Sequence, residues 1–313
     1  MTNTYFNIFQ ELENSLLEKN PLSTDKMPYQ HPSSAMCYSA VDNTPIGACL
    51  RSLYLKHQKT PSSNPMGIYV KMATEAGNLW ESWLIERYKL LGIYLSDSIK
   101  VFSDSLQVSG EIDIYHRNLN NPNEHEITEC KQYNGSNYYA VQELKGSKFA
   151  KPKPKDQNLL QVFDYLLVVK DTISRINLVY IDRSCSSYSN NIQFIIELEE
   201  IKGKIYPKIS FFNYKGEIES YVDPRINNEV LADKRNMLKQ FIEIEQIPPR
   251  DYFLKYTKED IEIKLLKGEI SKTRYNKYLE NPSQNYIGDW MCKYCPYGPG
   301  EDGFSVCESL EEK

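Results

Sequence analysis

Three short runs in the middle of the chain carry side chains suited to phosphodiester chemistry: Gly110-Glu111-Ile112-Asp113, Glu129-Cys130-Lys131 and Gln161-Val162-Phe163-Asp164-Tyr165. Hydrolysing a phosphodiester takes a divalent cation that activates water and neutralises charge on the attacked and leaving oxygens. Mg2+ or Mn2+ is held by a few carboxylates and keeps several of its waters. Asp113 and Glu129, on two neighbouring strands, suit one such ion. Lys131 lies two residues after Glu129, so on a strand both side chains leave the same face, and an ammonium stands beside the ion and the phosphate. Glu-x-Lys also occurs at Glu143–Lys145, Glu200–Lys202, Glu262–Lys264 and Glu311–Lys313, so the motif alone says little. The Glu129 copy differs in context: it ends a β-patterned segment, follows the Gly-x-x-Asp strand by one hairpin-like connection and precedes a helix bearing Gln161 and Tyr165.

Cysteines bracket this centre, with Cys49 near the front and Cys292, Cys295 and Cys307 at the end. The chain has 7 cysteines, an odd number, and its start lacks the basic and apolar regions of a secretory signal. Reduced thiols, some of them metal ligands, fit better than a disulfide framework. Cys292-Lys293-Tyr294-Cys295 is a CxxC, which taken alone leaves redox, zinc and iron–sulfur chemistry open. Its place before Pro296-Tyr297-Gly298-Pro299 argues against a thioredoxin-like role. Gly298, Gly300 and Gly303 are expected to make the stretch from Cys295 to Cys307 a flexible loop. Cys37 is a substitute ligand, whereas Cys130 and Cys185 fall in predicted strands and read as small buried residues.

The elements that must position these groups follow from patterning. Residues 1–20 read as an amphipathic helix and 20–48 as loop. Helices are predicted at Cys49–Lys56, Val70–Leu91, Asp156–Val169 and Asn227–Gln246, with charged helical character over 250–285. Strands are predicted at Ile99–Phe102, Glu111–Tyr115, His125–Cys130, Arg175–Asp182, Ile192–Leu198 and Ile205–Asn213. That order gives a mixed α/β core. The expected organisation is an N-terminal helical or loop region (1–48), a core (49–225), a helical extension (226–285) and a C-terminal cysteine segment (286–313) that meets Cys49.

With 41% hydrophobic and 25% charged residues, the 313-residue chain has an ordinary globular balance. No apolar run approaches the ~18–20 residues that span a bilayer, so no membrane is expected and the expected compartment is the cytoplasm. A net charge of −5 argues mildly against a protein that coats nucleic acid through bulk electrostatics and leaves room for a local basic groove. Lys145, Lys148, Lys151, Lys153 and Lys155 crowd between the Glu-x-Lys strand and the Gln161 helix, where they would meet phosphates. Tyr133, Tyr138, Tyr139 and Phe149 are interleaved and would stack on unpaired bases.

The ordered set resembles the PD-(D/E)XK nuclease superfamily, and within it the RecB-like branch, where a Gly-x-x-Asp strand, an (Asp/Glu)-x-Lys strand and a Gln-x-x-x-Tyr helix occur in this sequence. The resemblance covers about residues 35–185 and 285–310. It implies a restriction-endonuclease-like mixed sheet flanked by helices, with Asp113 and Glu129 as Mg2+ or Mn2+ ligands and Lys131 as the catalytic lysine. Gln161 and Tyr165, one turn apart on one helical face, would position the substrate and support the site. The branch carries a Gly-x-x-x-His helix whose histidine also binds metal; here Gly77-Asn78-Leu79-Trp80-Glu81 puts glutamate at that place, a ligand equally suited to a hard cation.

The CRISPR-associated RecB-like exonucleases and the nuclease domain of AddB have one cysteine before the core and three after it, together holding a [4Fe–4S] cluster. Cys49-Leu50-Arg51 with Tyr54 looks like the early Cys-x-Arg element, and Cys292, Cys295 and Cys307 look like the late trio, although the last gap is longer than usual. Zinc would satisfy the same four thiolates. The resemblance implies a DNA nuclease, an exonuclease on single-stranded DNA or free ends, working alone or with an integrase or helicase complex. An endonuclease of the same superfamily, a non-cleaving DNA-binding or adaptor module and a zinc-stapled structural protein are the alternatives.

Overall fold

The computed structural model describes residues 31–65, 67–136, 144–146, 151–185, 191–213, 215–280, 288–300 and 302–310. In chain order, a 3-10 turn at Pro32–Ser34 is followed by β1 (Met36–Tyr38), β2 (Pro45–Gly47), α1 (Leu50–His57), α2 (Ile68–Leu90), β3 (Tyr94–Ser103), β4 (Val108–Arg117) and β5 (His125–Tyr133). Then come α3 (Asp156–Val169), β6 (Arg175–Asp182), β7 (Ile192–Ile201), β8 (Lys204–Phe212), β9 (Ile218–Val222) and α4 (Asn228–Glu243). The remaining helices are α5 (Lys258–Leu266), α6 (Lys272–Glu280), α7 (Trp290–Lys293) and α8 (Val306–Ser309). Among the described residues no helix is long and apolar enough to cross a membrane.

The chain divides into two compact units: Met1–Gly47 with Gly67–Asn236, and Ala48–Met66 with Met237–Lys313. These boundaries differ from the expected 49–225 core. Segment 48–66 groups with the C-terminal part because its side chains bond to residues 248–307, and the 226–285 extension is split inside α4. The helix expected at 1–20 lies outside the described residues.

The first unit is a seven-stranded mixed sheet in the order β3-β4-β5-β6-β7-β8-β9, beside the small β1–β2 hairpin. Every neighbouring pair is antiparallel except β5–β6. Parallel strands cannot be joined by a tight turn, and α3 lies in the connection that makes this crossover. Leu159 to Leu167 are nine successive buried residues, so α3 has no solvated face and is a core helix. The Glu-x-Lys strand β5 is therefore interior to the sheet, between β4 and β6.

Four strands differ from the sequence reading: β1 and β2 pair as a short hairpin inside the 20–48 stretch expected to be loop, three residues each being too few to show an alternating pattern. β3 begins at Tyr94 instead of Ile99, because its first five residues are half-buried or exposed and show no apolar alternation. β9 was not expected; it is a short edge strand with three exposed residues and no buried face to mark it. Cys185 is exposed and lies beyond β6 with φ of 50°, so it is not the buried strand residue expected. Cys37 is fully buried in the core of the first unit, whereas the other four cysteines of the expected set belong to the second.

A carboxylate buried within α3 needs an internal partner, and Asp164 has one in Arg235 of α4, with side-chain exposures of 0% and 6%. Burial still holds the Asp164 carboxyl above its ordinary value, and Asp164 Oδ2 and Arg235 Nε lack hydrogen-bond partners. Arg235→Ala would leave a bare buried carboxylate and should cost about 3–5 kcal/mol. Replacing both residues by apolar ones of similar volume should recover most of that loss, which a double-mutant cycle in urea will measure.

Candidate functional site

Glu129 is the point at which β4, β5 and α3 meet. Its side chain is 1% exposed. Lys131 Nζ donates to its Oε1 at 2.6 Å, and Gln161 Nε2 donates to the same oxygen at 2.6 Å. Oε2 is buried with no hydrogen-bond partner. Burial pushes the Glu129 carboxyl up to about 8, with Asp113 and Glu81 adding to the rise and Lys131 opposing it. For Lys131, burial pulls the other way, but Glu129 and Asp113 outweigh it and hold the ammonium charged.

Asp113 arrives from β4 at a break in the ladder. β4 and β5 pair from Arg117–His125 to Ile114–Thr128. One residue further, Asp113 Oδ2 accepts the Cys130 N–H at 2.8 Å. The side chain thus takes a backbone donor of β5, which fixes Asp113 against the Glu129-Cys130-Lys131 run. Burial raises its carboxyl, opposed by Lys131 and that N–H.

The third carboxylate comes from α2, clamped to the sheet on either side of Glu81. Gln132 Nε2 donates to the Ala73 carbonyl, and Tyr88 Oη lies 3.0 Å from Thr128 Oγ1. Neither anchor was expected from the sequence; the signal was the i+2 alternation of Thr128, Cys130 and Gln132 on the face of β5 opposite Glu129. Glu81 is pushed up to about 7, first by burial and then by Asp113, with Lys131 opposing. Cys130 is raised to about 12 by burial, Asp113 and Glu81. Glu81, Asp113 and Glu129 thus share one field with a single ammonium, and cannot all ionise cheaply without a further cation.

Gln161 and Tyr165 lie one turn apart on α3, as expected, but Tyr165 is fully buried and its hydroxyl donates to the Glu111 carbonyl at 2.6 Å. It holds β4 two residues before Asp113 and has no surface for substrate. This close approach explains the glycine of Gly-x-x-Asp: a Cβ at Gly110 would stand 2.8 Å from the Tyr165 ring and 2.8 Å from Pro32 Cδ.

The lysine cluster divides. Lys151 and Lys155 are exposed, Lys155 at the N-cap of α3. Lys153 is tied to Asp156 at 2.9 Å, and Asp156 also receives Arg225. Lys145 is half-buried in a short helical turn; Lys148, Tyr138, Tyr139 and Phe149 lie outside the described residues. Tyr133 is not a stacking surface: it is 3% exposed and packs edge-on to Tyr180 in the core.

Cys49, Cys292, Cys295 and Cys307 all belong to the second unit and all are free thiols. Burial raises the Cys292 thiol, and Cys49, Cys295 and Cys307 raise it further, so the four sulfurs are electrostatic neighbours. Burial likewise raises Cys49 and Cys307. Arg51 accounts for the Cys-x-Arg spacing: buried, it donates Nε to the Pro248 carbonyl at 2.7 Å and Nη1 to the Cys307 carbonyl at 3.3 Å. Tyr54, Leu55 and Tyr297 pack with Cys307 in a small apolar core.

A second fastening was not visible in the sequence. Ser62, Ser63 and Asn64 donate to the carbonyls of Pro296 (2.6 Å), Gly298 (2.8 Å) and Lys293 and Cys295 (3.0 and 3.1 Å). Gly298 and Gly300 are consequently not loop flexibility. A Cβ would lie 2.1 Å from the Cys292 carbonyl at the first and 2.3 Å from the Ser63 carbonyl at the second.

The donor sets suit the groups expected. One orphaned carboxylate oxygen among three mutually repelling acids suits a hard divalent cation, and four sulfurs suit an iron–sulfur cluster or zinc. Among the described residues no three His, Cys, Asp or Glu side chains are drawn together at ligand spacing, so both sets are electrostatic neighbourhoods, not closed ligand shells.

No family model matches the chain, and no curated protein matches it. A solved structure described as the crystal structure of SSO0001 is similar over 85% of this chain and 96% of that one, at 11% identity and a TM-score of 0.38.

Two outcomes follow. The folded Glu81 pKa stands above its unfolded value, so its contribution to stability is fully present below about pH 4.5 and is lost as pH rises through about 7. In chelator, the melting temperature should fall across that window, and Glu81→Gln should flatten the fall. Asn64→Ala removes two bonds to the cysteine segment and should cost about 1–2 kcal/mol, read as a lower urea midpoint.

Proposed function

We propose that the protein is a divalent-metal-dependent DNA nuclease of the PD-(D/E)XK, RecB-like type, acting as an exonuclease on single-stranded DNA and stapled by a [4Fe–4S] cluster. One observation carries this reading: the buried Glu129 carboxylate receives Lys131 and Gln161 on one oxygen and keeps the other bare, beside Asp113 and Glu81. The structural Asp164–Arg235 pair also leaves one oxygen bare, but there only burial and Arg235 act on the carboxyl; the crowding of Asp113 and Glu81 on Glu129 is what sets this carboxylate apart.

Glu129, Asp113 and Glu81 would hold Mg2+ or Mn2+, which supplies activated water and charge neutralisation when bound. Gln161 fixes the rotamer of Glu129. Lys131, kept charged by its two acidic neighbours, would offset negative charge that develops on the phosphate oxygens. Tyr165 holds the β4 backbone so that Asp113 stays in register with Cys130. Cys49, Cys292, Cys295 and Cys307 would ligate the cluster, tying Cys49 to the C-terminal cysteine segment. Loss of that group would loosen the second unit.

The test uses anaerobically purified protein with Mn2+ and end-labelled single-stranded, duplex and circular DNA. Lys131→Ala should lower cleavage of single strands by about 100-fold or more, and unchanged cleavage would sink the mechanism. Cutting of circles would make the enzyme an endonuclease, and no cleavage by the wild type would leave a binding or adaptor module. Brown protein with iron that Cys292→Ala abolishes identifies the cluster; colourless protein with zinc replaces it by a zinc site.

A further inference from the structure

α2 carries apolar residues on two opposite sides, and only one side is used within the first unit. The inner side holds Ala73, whose carbonyl takes Gln132, Gly77 against the Gln132 side chain, Glu81, the buried Ile85, and Tyr88 on Thr128. Met72, Leu79, Trp83 and Leu90 form the outer side, at 51%, 72%, 42% and 74% exposed. At about 100° per residue these four lie within about 20° of one line, and Glu81 lies opposite them. A helix that is apolar on both sides is ordinarily covered on both, and a contiguous exposed apolar stripe marks an interaction surface.

The spacing of the stripe points to what covers it. Successive members are seven, four and seven residues apart. That span is five helical turns, so the line runs straight for about 27 Å and a partner helix need not supercoil around it. The spacing also reads the same in reverse about Glu81: Leu79 and Trp83 stand two residues to either side, Met72 and Leu90 nine. An antiparallel copy set level at Glu81 therefore places Leu79 across from Trp83 of the second copy, and Met72 across from Leu90 of the second copy. Self-complementarity of this kind is what a two-fold interface requires, and neither a lipid surface nor an unrelated protein would call for it. Half-buried Trp80 packs edge-on to Trp83 at 5.9 Å, and the Arg87 guanidinium stands 5.7 Å from the Trp83 ring, which broadens the centre of the stripe. Its borders carry Lys71, Arg87 and Lys89 against Glu75 and Glu86, with Lys89 held on Glu86 at 2.8 Å, so no block of one sign keeps two copies apart. Two copies would bury roughly 1,000 Å² or more between them, the area that a specific interface needs.

We propose that the protein is a homodimer closed by its α2 helices, antiparallel about a two-fold axis level with Glu81, with Leu79 of each copy on Trp83 of the other. The pairing uses only the outer side of α2, so it leaves Glu81 uncovered and free to act with Asp113 and Glu129.

Full-length protein is followed by sedimentation velocity and by light scattering on a sizing column, over a concentration series into the tens of micromolar. The wild type should run at twice its chain mass. Leu79→Glu and Trp83→Lys, at exposed positions that leave the far-UV circular dichroism unchanged, should each weaken dimerisation about 100-fold or more. An equimolar mixture of the two variants should dimerise again, because Leu79→Glu in one chain then faces Trp83→Lys in the other. A wild type that stays monomeric overturns the proposal, whether residues 1–30 or a different protein covers the stripe. A dimer that survives both substitutions overturns it too, as does a mixture that stays monomeric. Mass is read without DNA or cleavage, so these outcomes are independent of the nuclease reading.

Discussion

Burying the carboxylate of Glu129 beside an ammonium sets the terms for the rest of the first unit. A lone ionised carboxylate is expensive in a core, and the surrounding elements each relieve part of that cost. β5 brings Lys131 round on the same face, α3 brings Gln161, and the splayed end of β4 brings Asp113 to the adjoining backbone. Partial relief is the telling feature. One oxygen stays without a partner, and two further acids crowd the same field. Such a site is under electrostatic tension, and its protonation follows whatever cation it meets.

The core helix α3 shows how the scaffold and the site share parts. Its face toward β5 carries Gln161 and Tyr165, and the latter holds the β4 backbone through the Glu111 carbonyl. Its other buried polar residue, Asp164, pairs with Arg235. A core helix with three buried polar groups, each bonded to a different element, is fixed in rotation and in register.

Much of this was legible in the sequence because the residues that matter are placed by local periodicity. The bounds of α3 and β6 match those expected, and the two-residue spacing of Glu129 and Lys131 translates directly into a shared strand face. Long-range contacts left no such mark. Nothing in Ser62-Ser63-Asn64 announces partners more than two hundred residues away, and Gln132 reads as an ordinary strand residue until it is seen on the Ala73 carbonyl. Glycine was the most misleading signal. Gly298 and Gly300 suggest slack, yet they sit where another backbone leaves no room for a Cβ. Tyr133 misled in the opposite sense: tyrosine suits base stacking, but this one is 3% exposed in the core.

The pairing of segment 48–66 with Met237–Lys313 has a consequence for how the molecule is made. The second unit is discontinuous along the chain, with Gly67–Asn236 inserted between its two parts. During synthesis α1 and the Ser62–Asn64 stretch leave the ribosome early, carrying one thiol and a set of donors whose acceptors do not yet exist. The inserted sheet has all of its strands in sequence order and can close as soon as β9 has emerged, since neighbouring strands pay little loop-closure entropy. The second unit must wait for Val306–Ser309. Assembly is therefore ordered by translation itself: the sheet forms first, and the cysteine unit, with any metal it takes, closes last around a partner segment that has stood exposed throughout.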